Sequence, residues 1–286
     1  MLSEKHTERV RSYYNRNTGL FNFFGKNGAT RNIHASLWGE GVQSEREASD
    51  YTNTCILREA ERLDVPEPRL LDLGCGIGGT LQFLAARLPD SAAFRGVTLS
   101  ARQARLARGY LTPFGGRVQI LEADFHALPA EWTGSQHLAW ALEAFVHSDR
   151  PELFLREAAR VLRPGGRLLL IDTFPTRAAE ELHPREAGYI RDYQHCWGAG
   201  NLLRTDQLSA LALTLGLETL SSLDLTPSVA KNRMRDRAIA LLNRALGPLM
   251  NRQVYLRALR GGNAVQRGFA AGWLGYGLLT FEKRAS

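Results

Sequence analysis

Cysteine is scarce in this chain: three residues in 286, at Cys55, Cys75 and Cys196. Three irregularly spaced thiols make neither a disulfide framework nor a zinc site, which fits a reducing, cytoplasmic setting. No apolar run approaches the roughly 18 residues that a membrane-spanning helix requires. The first residues, MLSEKHTERVRSYY, lack the apolar centre of a signal peptide. Acid is in deficit: 29 Asp and Glu stand against 36 Lys and Arg, for a net charge of +7. The basic residues are spread along the chain, and no aromatic–basic recognition motif accompanies them. An anionic small substrate or plain solubility therefore fits the charge better than nucleic acid does. There is no internal repeat and no low-complexity tail.

What is present is a glycine turn, RLLDLGCGIGGT, at 69–80. Leu70, Leu71 and Leu73 read as a short buried strand. The chain then turns through Gly74, Gly76, Gly78 and Gly79 into a helix near Thr80. A strand, a glycine turn and a helix N-terminus make a nucleotide-type cofactor site. Gly74, Gly76 and Gly79 match dinucleotide spacing, but Asp72 in the approach would repel a pyrophosphate. The expected acid after the second strand is also missing, since Phe94–Thr98 runs into Leu99 and Ser100.

DLGCGIGG resembles motif I of class I S-adenosylmethionine (SAM) methyltransferases. Three further blocks follow in that family's order: GVTLSARQARLAR (96–108), LEADFHALP (121–129) and VLRPGGRLLLID (161–172). The resemblance spans about residues 55–175. It implies an α/β fold: a Rossmann-like, doubly wound sheet of seven strands, the last antiparallel, with an N-terminal helical lid and inserted acceptor-site helices. The expected division is a lid at 1–60, a SAM-binding core at 61–173, and an acceptor-side insertion, helical region and closing strands at 174–286. Strands are expected at 69–73, 94–98, 117–121, 137–142, 166–173, 218–225 and 272–283. Ser3–Tyr14 reads as a helix, and the Asn-, Gly- and Phe-rich stretch Asn15–Gly28 is not expected to be regular helix throughout.

The resemblance also assigns the cofactor residues. Backbone at Gly74, Cys75 and Gly76 approaches the methionine part of SAM, and Asp72 accepts from its amino group or a neighbouring water. The usual ribose-gripping acid is replaced by GVTLS, a departure that a subgroup shares, so Thr98, Leu99 and Gln103 flank the ribose. Asp124 and Phe125 resemble the pair that caps adenine.

On the acceptor side, Glu143 falls at the carboxyl end of the fourth strand, where open α/β sheets place ligands. Glu143, His147 and His195 are the candidate bases. Tyr13, Tyr14, Phe21, His34 and Trp38 belong to the lid, and Tyr193 and Trp197 to the insertion; all are expected to face the acceptor. The aromatics of the lid can equally serve to dock it on the core. YYN…IHASLW, Glu143 and the aromatic insertion resemble prenyl diphosphate (geranyl or farnesyl diphosphate) C-methyltransferases. That likeness implies magnesium bound through the substrate's diphosphate and no protein metal site, with Arg31, Arg177 and Arg191 as candidate grips. WALEAFVH also resembles natural-product O-methyltransferases, so O- or N-methylation stays open, as does a SAM-binding protein without catalysis. Methylation of nucleic-acid bases is disfavoured because LEAF stands where the Asn/Asp-Pro-Pro-Tyr/Phe motif would be. The expected partner is a small molecule in terpenoid or other secondary metabolism, with a homodimer left open.

Overall fold

The computed structural model describes residues 2–24, 31–230 and 234–285, apart from the side chains at 2, 3, 17, 19–24, 248 and 254. Seven strands form one sheet: β1 (Arg69–Leu73), β2 (Ala93–Thr98), β3 (Val118–Glu122), β4 (Gln136–Leu142), β5 (Leu162–Pro175), β6 (Leu217–Asp224) and β7 (Leu274–Lys283). Their order is β3-β2-β1-β4-β5-β7-β6. β1 to β5 pair in parallel, and β7 runs antiparallel to both β5 and β6.

β1 reads RLLDL because it is a central parallel strand covered on both faces. Leu70 packs into one apolar core, with Phe94 and Trp140, and Leu71 and Leu73 into the other, with Ala139 and Phe154. The strand order reverses between β1 and β4. That reversal opens a crevice at their carboxyl ends, where the glycine turn and Glu143 lie.

The helices are α1 (Leu2–Phe24), α2 (Glu45–Glu61), α3 (Gly79–Ala85), α4 (Ala101–Leu111), α5 (Pro151–Val161), α6 (Pro184–Trp197), α7 (Thr205–Thr214), α8 (Met234–Leu246) and α9 (Val254–Ala271). α2 begins with a capping box: Ser44 accepts from the Glu47 N–H, and Glu47 accepts from the Ser44 N–H. α6 supplies helical order within the acceptor-side region expected after β5.

One expected boundary is corrected. The helix does not break after Tyr14 but continues to Phe24. Asn and Gly cost up to about 1 kcal/mol each inside a helix. Here tertiary contacts outweigh that cost. Val10, Tyr13 and Thr18 are buried, Arg11 donates to the Leu99 carbonyl, and Ser100 donates to Asn15 Oδ1.

The glycine turn is fitted tightly to the loop after β4. Gly74 has φ 119°, and a Cβ there would lie 2.4 Å from the Ala144 Cβ. Both the backbone conformation and the space call for glycine. Gly74→Ala is expected to cost about 2–3 kcal/mol and to lower Tm by about 5 °C in a thermal melt. A Tm within about 1 °C of the parent would contradict this packing.

Candidate active site

A cavity of about 460 Å³ runs from the glycine turn, past Glu143, to α8 and α9. Its cofactor end is built by three loops at the carboxyl ends of β1, β2 and β3. The N–H groups of Gly74 and Cys75 bond back to the Val97 carbonyl, which fixes the turn against β2. Gly76 has φ 53°, and a Cβ there would lie 3.2 Å from Ile33 Cδ1, so the segment before α2 presses on the same turn. Asp72 is buried, and burial pushes its pKa up to about 8, partly offset by the Trp140 indole.

After β2, Ser100 caps α4 by accepting from the Gln103 N–H. Thr98 donates to Gln103 Oε1 at 2.8 Å, while the buried Gln103 Nε2 has no hydrogen-bond partner among the described residues. A buried donor left open in a cavity wall points to a ligand acceptor. After β3, Asp124 Oδ1 accepts from both the backbone N–H and the Nδ1–H of His126. His126 Nε2 in turn accepts from the Ser148 hydroxyl at 2.7 Å. Burial works against the Asp124 carboxylate, but the His126 hydrogen bonds and the Arg150 charge outweigh it and hold its pKa below the usual range. The His126–Ser148 pair was not legible in the sequence, although a histidine two residues after the acid was a usable signal.

The chemistry of this end suits SAM: close backbone approach at the glycines, an open amide donor on Gln103, a fixed Asp124 carboxylate next to the Phe125 ring, and a buried acid at Asp72. Thr98, Leu99, Gln103, Asp72, Gly74, Cys75, Gly76, Asp124 and Phe125 all line this cavity. Among the described residues, no group of three or more His, Cys, Asp and Glu is placed to hold a metal.

α1 closes the crevice. His6 donates to the His147 carbonyl. His147 Nδ1 faces the Gly198 carbonyl at 3.1 Å and can only donate to it, so its Nε2 accepts from the Tyr14 hydroxyl at 2.7 Å. Burial lowers the His147 pKa to about 4, so the ring is neutral at physiological pH. A neutral ring with both nitrogens engaged orients Tyr14.

Glu143 occupies the junction of the two ends. It is one of two described non-glycine residues with positive φ, at 48°. Its Oε1 accepts from the Ala35 N–H and the Tyr276 hydroxyl, both at 2.8 Å. Oε2 has no hydrogen bond among the described residues. Asp172, on β5, accepts from the Val146 and Thr173 N–H groups. Burial pushes its pKa up to about 8, with the Glu143 charge adding to the rise. Beyond Glu143 the walls are largely apolar and aromatic: Tyr13, Tyr193, Trp197, Leu259, Val265, Phe269 and Tyr276. Tyr276 was not foreseen from the sequence, because 133 residues separate it from its partner. His34 also lines the cavity; burial lowers its pKa, and its Nε2 lies within hydrogen-bond distance of no partner among the described residues.

Other expected site residues lie elsewhere. His195 is exposed and does not line the cavity. Two residues along a helix turn a side chain by about 200°, so Tyr193 facing inward sends His195 out. Arg191 is exposed for the same reason and borders a separate surface hollow with Arg185 and Arg260. Arg177 pairs with Glu186. Arg31 lines the cavity, but its guanidinium donates to Gln82 and sits 4.0 Å over the Tyr110 ring. The three arginines expected to grip a diphosphate are thus not brought together. Trp38 is 40% exposed and away from the cavity. The side chain of Phe21 lies outside the described residues.

A family model described as a methyltransferase domain matches residues 70–166. The chain is 31% identical over 206 residues to a 27-O-demethylrifamycin SV methyltransferase of Amycolatopsis mediterranei, covering 68% of this chain and 70% of that protein. It is 29% identical over 229 residues to 24-methylenesterol C-methyltransferase 2 of Oryza sativa subsp. japonica, covering 78% of this chain but 59% of the rice protein. The geranyl diphosphate C-methyltransferase of Streptomyces coelicolor A3(2), solved with Mg2+, geranyl diphosphate and S-adenosyl-L-homocysteine, shares the fold. Its TM-score is 0.69 at 19% identity, with 97% of each chain covered. The chain belongs to the SAM-dependent methyltransferases that act on small molecules.

His147 yields a pH prediction. Its pKa is lowered from 6.5 in the unfolded chain to about 4 in the fold, so the unfolded state takes up the proton first as pH falls. The contribution is fully present above pH 6.5 and declines as pH drops toward 4. Between pH 7 and 5 it amounts to about 2 kcal/mol. His147→Gln is expected to lose less Tm than the parent between those two pH values. Equal Tm losses would show that His147 does not titrate this way.

Proposed function

We propose that the enzyme methylates an apolar, isoprenoid-like small molecule at carbon, and that Glu143 is the group that takes up the departing proton. The carrying observation is the Glu143 carboxylate: one oxygen is tied by Ala35 and Tyr276, and the other has no hydrogen bond among the described residues, in a cavity walled largely by aromatic rings. Bound SAM supplies an electrophilic methyl group. The chain supplies the rest. α1 acts as the lid that excludes water, the apolar wall holds the acceptor, and Gly74, Gly76, Gln103 and Asp124 hold the cofactor. Carbon methylation of an alkene leaves an electron-poor carbon. Tyr14, Tyr193, Phe269 and Tyr276 offer π faces to it, and Glu143 offers a negative charge and a proton acceptor at Oε2.

Support also comes from the acceptors in the names of similar proteins. A sterol and geranyl diphosphate are both isoprenoid compounds, though each belongs to that protein alone. For a diphosphate-bearing acceptor, Arg31 and Arg235 are the arginines that line the cavity. A hydroxyl acceptor is the second reading. The Glu143 Oε2 can equally take a proton from an alcohol, and Asn263 and Gln266 put polar groups on one wall.

The test is conversion of labelled SAM against a panel of isoprenoid alkenes, prenyl diphosphates with and without magnesium, phenols, sugars and amines. Turnover is expected with an isoprenoid carbon acceptor. Glu143→Gln should lower it about 100-fold or more, with SAM affinity within about twofold of the parent. Turnover confined to alcohols would establish the second reading. Undiminished turnover in Glu143→Gln would remove Glu143 from the proton-accepting role.

A further inference from the structure

We infer that α8 and the turn after it seat the enzyme on an anionic lipid surface. Water-soluble helices turn their apolar stripe inward. α8 also turns apolar side chains outward. Met234 is 87% exposed and Leu241 69%, and Leu249 in the following turn is 52% exposed. Helical spacing lines up Met234, Ala238, Leu241 and Ala245 in one stripe, and both alanines are exposed as well. Arg237 and Arg244, seven residues apart, run along one edge of the stripe, and Arg252 follows it; all three are exposed. None of the three forms an ion pair among the described residues. An outward apolar stripe edged by arginine is the pattern of a helix lying in a membrane interface.

Charge selects the occupant. Two copies packed stripe to stripe would gather four exposed arginines with no acid on the stripe to neutralise them. The acid of α8, Asp236, is half-buried and engaged, so it cannot answer them. Anionic headgroups neutralise the arginines while the Met234–Leu241 stripe enters the acyl boundary. The same helix faces the cavity through Ile239, so the seated face is the outer side of the acceptor wall. A lipid-dissolved acceptor would then reach the cavity without crossing bulk water. Seating of this face is independent of which atom the enzyme methylates.

The test is co-sedimentation of the full chain with vesicles of phosphatidylcholine alone or with about 30% phosphatidylglycerol. Binding is expected to be at least about tenfold stronger on the anionic vesicles and to weaken with salt. Leu241→Asp and the double variant Arg237→Glu/Arg244→Glu should each lose about tenfold or more of it while SAM affinity stays unchanged. Because these side chains are exposed, the variants are expected to fold, and SAM binding checks that they do. No binding to either vesicle would overturn the inference, as would binding undiminished in both variants. A concentration-dependent dimer that Leu241→Asp abolishes, without vesicle binding, would assign the stripe to a second copy instead.

Discussion

The Glu143 carboxylate ties three distant parts of the chain together. It sits on the loop after β4, in a backbone conformation that side-chain-bearing residues rarely adopt. Its Oε1 receives the N–H of Ala35, from the segment before α2, and the hydroxyl of Tyr276, from the antiparallel β7. Those two donors offset part of the cost of holding the half-buried carboxylate. The Ala35 bond also fixes the residues just before it. Ile33 presses on Gly76, the Arg31 carbonyl packs at Gly79, and His34 enters the cavity. One carboxylate therefore joins the cofactor turn, the lid connection and the acceptor wall.

Around it the site gathers carboxyl groups in a place where water is scarce. Asp72 and Asp172 are both buried, and burial raises the pKa of each to about 8. Both carboxyls hold protons near neutral pH. The cost of keeping them buried builds as pH rises from about 4, where the same carboxyls ionise in the unfolded chain, and is complete above about 8. A cation brought into the cavity reverses that preference, because it favours the charged forms. SAM carries two positive centres, an ammonium and a sulfonium, so a cavity that strains its own carboxylates is matched to that cofactor.

The residues at the glycine-turn end of the cavity were legible in the sequence because their parts are local. A strand, a glycine turn and the acids at the ends of β1 and β3 are set within a few residues of one another, and each carries a backbone reason for its residue type. The acceptor half was legible only in pieces. Tyr14, Tyr193 and Trp197 reach the cavity, but His195 and Arg191 fall on the opposite face of α6, a result that helical periodicity contains. The placement of Arg177 and Arg31 was not readable. Each is diverted by a partner, Glu186 and Gln82 respectively, and competition among ion pairs is a property of the folded surface. The Tyr276 bond to Glu143 and the Ser148–His126–Asp124 chain join residues that only the sheet order and loop packing bring together. The length of α1 was misread because helix propensity was weighed without the contacts that α1 makes with α4.

The most direct test of the central claim is a comparison of Tyr276→Phe with the parent enzyme. It removes one hydroxyl, keeps the ring, and leaves the SAM-facing loops untouched. kcat is expected to fall about 10- to 100-fold while the Kd for SAM stays within about twofold, because the carboxylate loses a donor that aims it. An unchanged kcat would show that the orientation of Glu143 does not govern the reaction and would contradict the account.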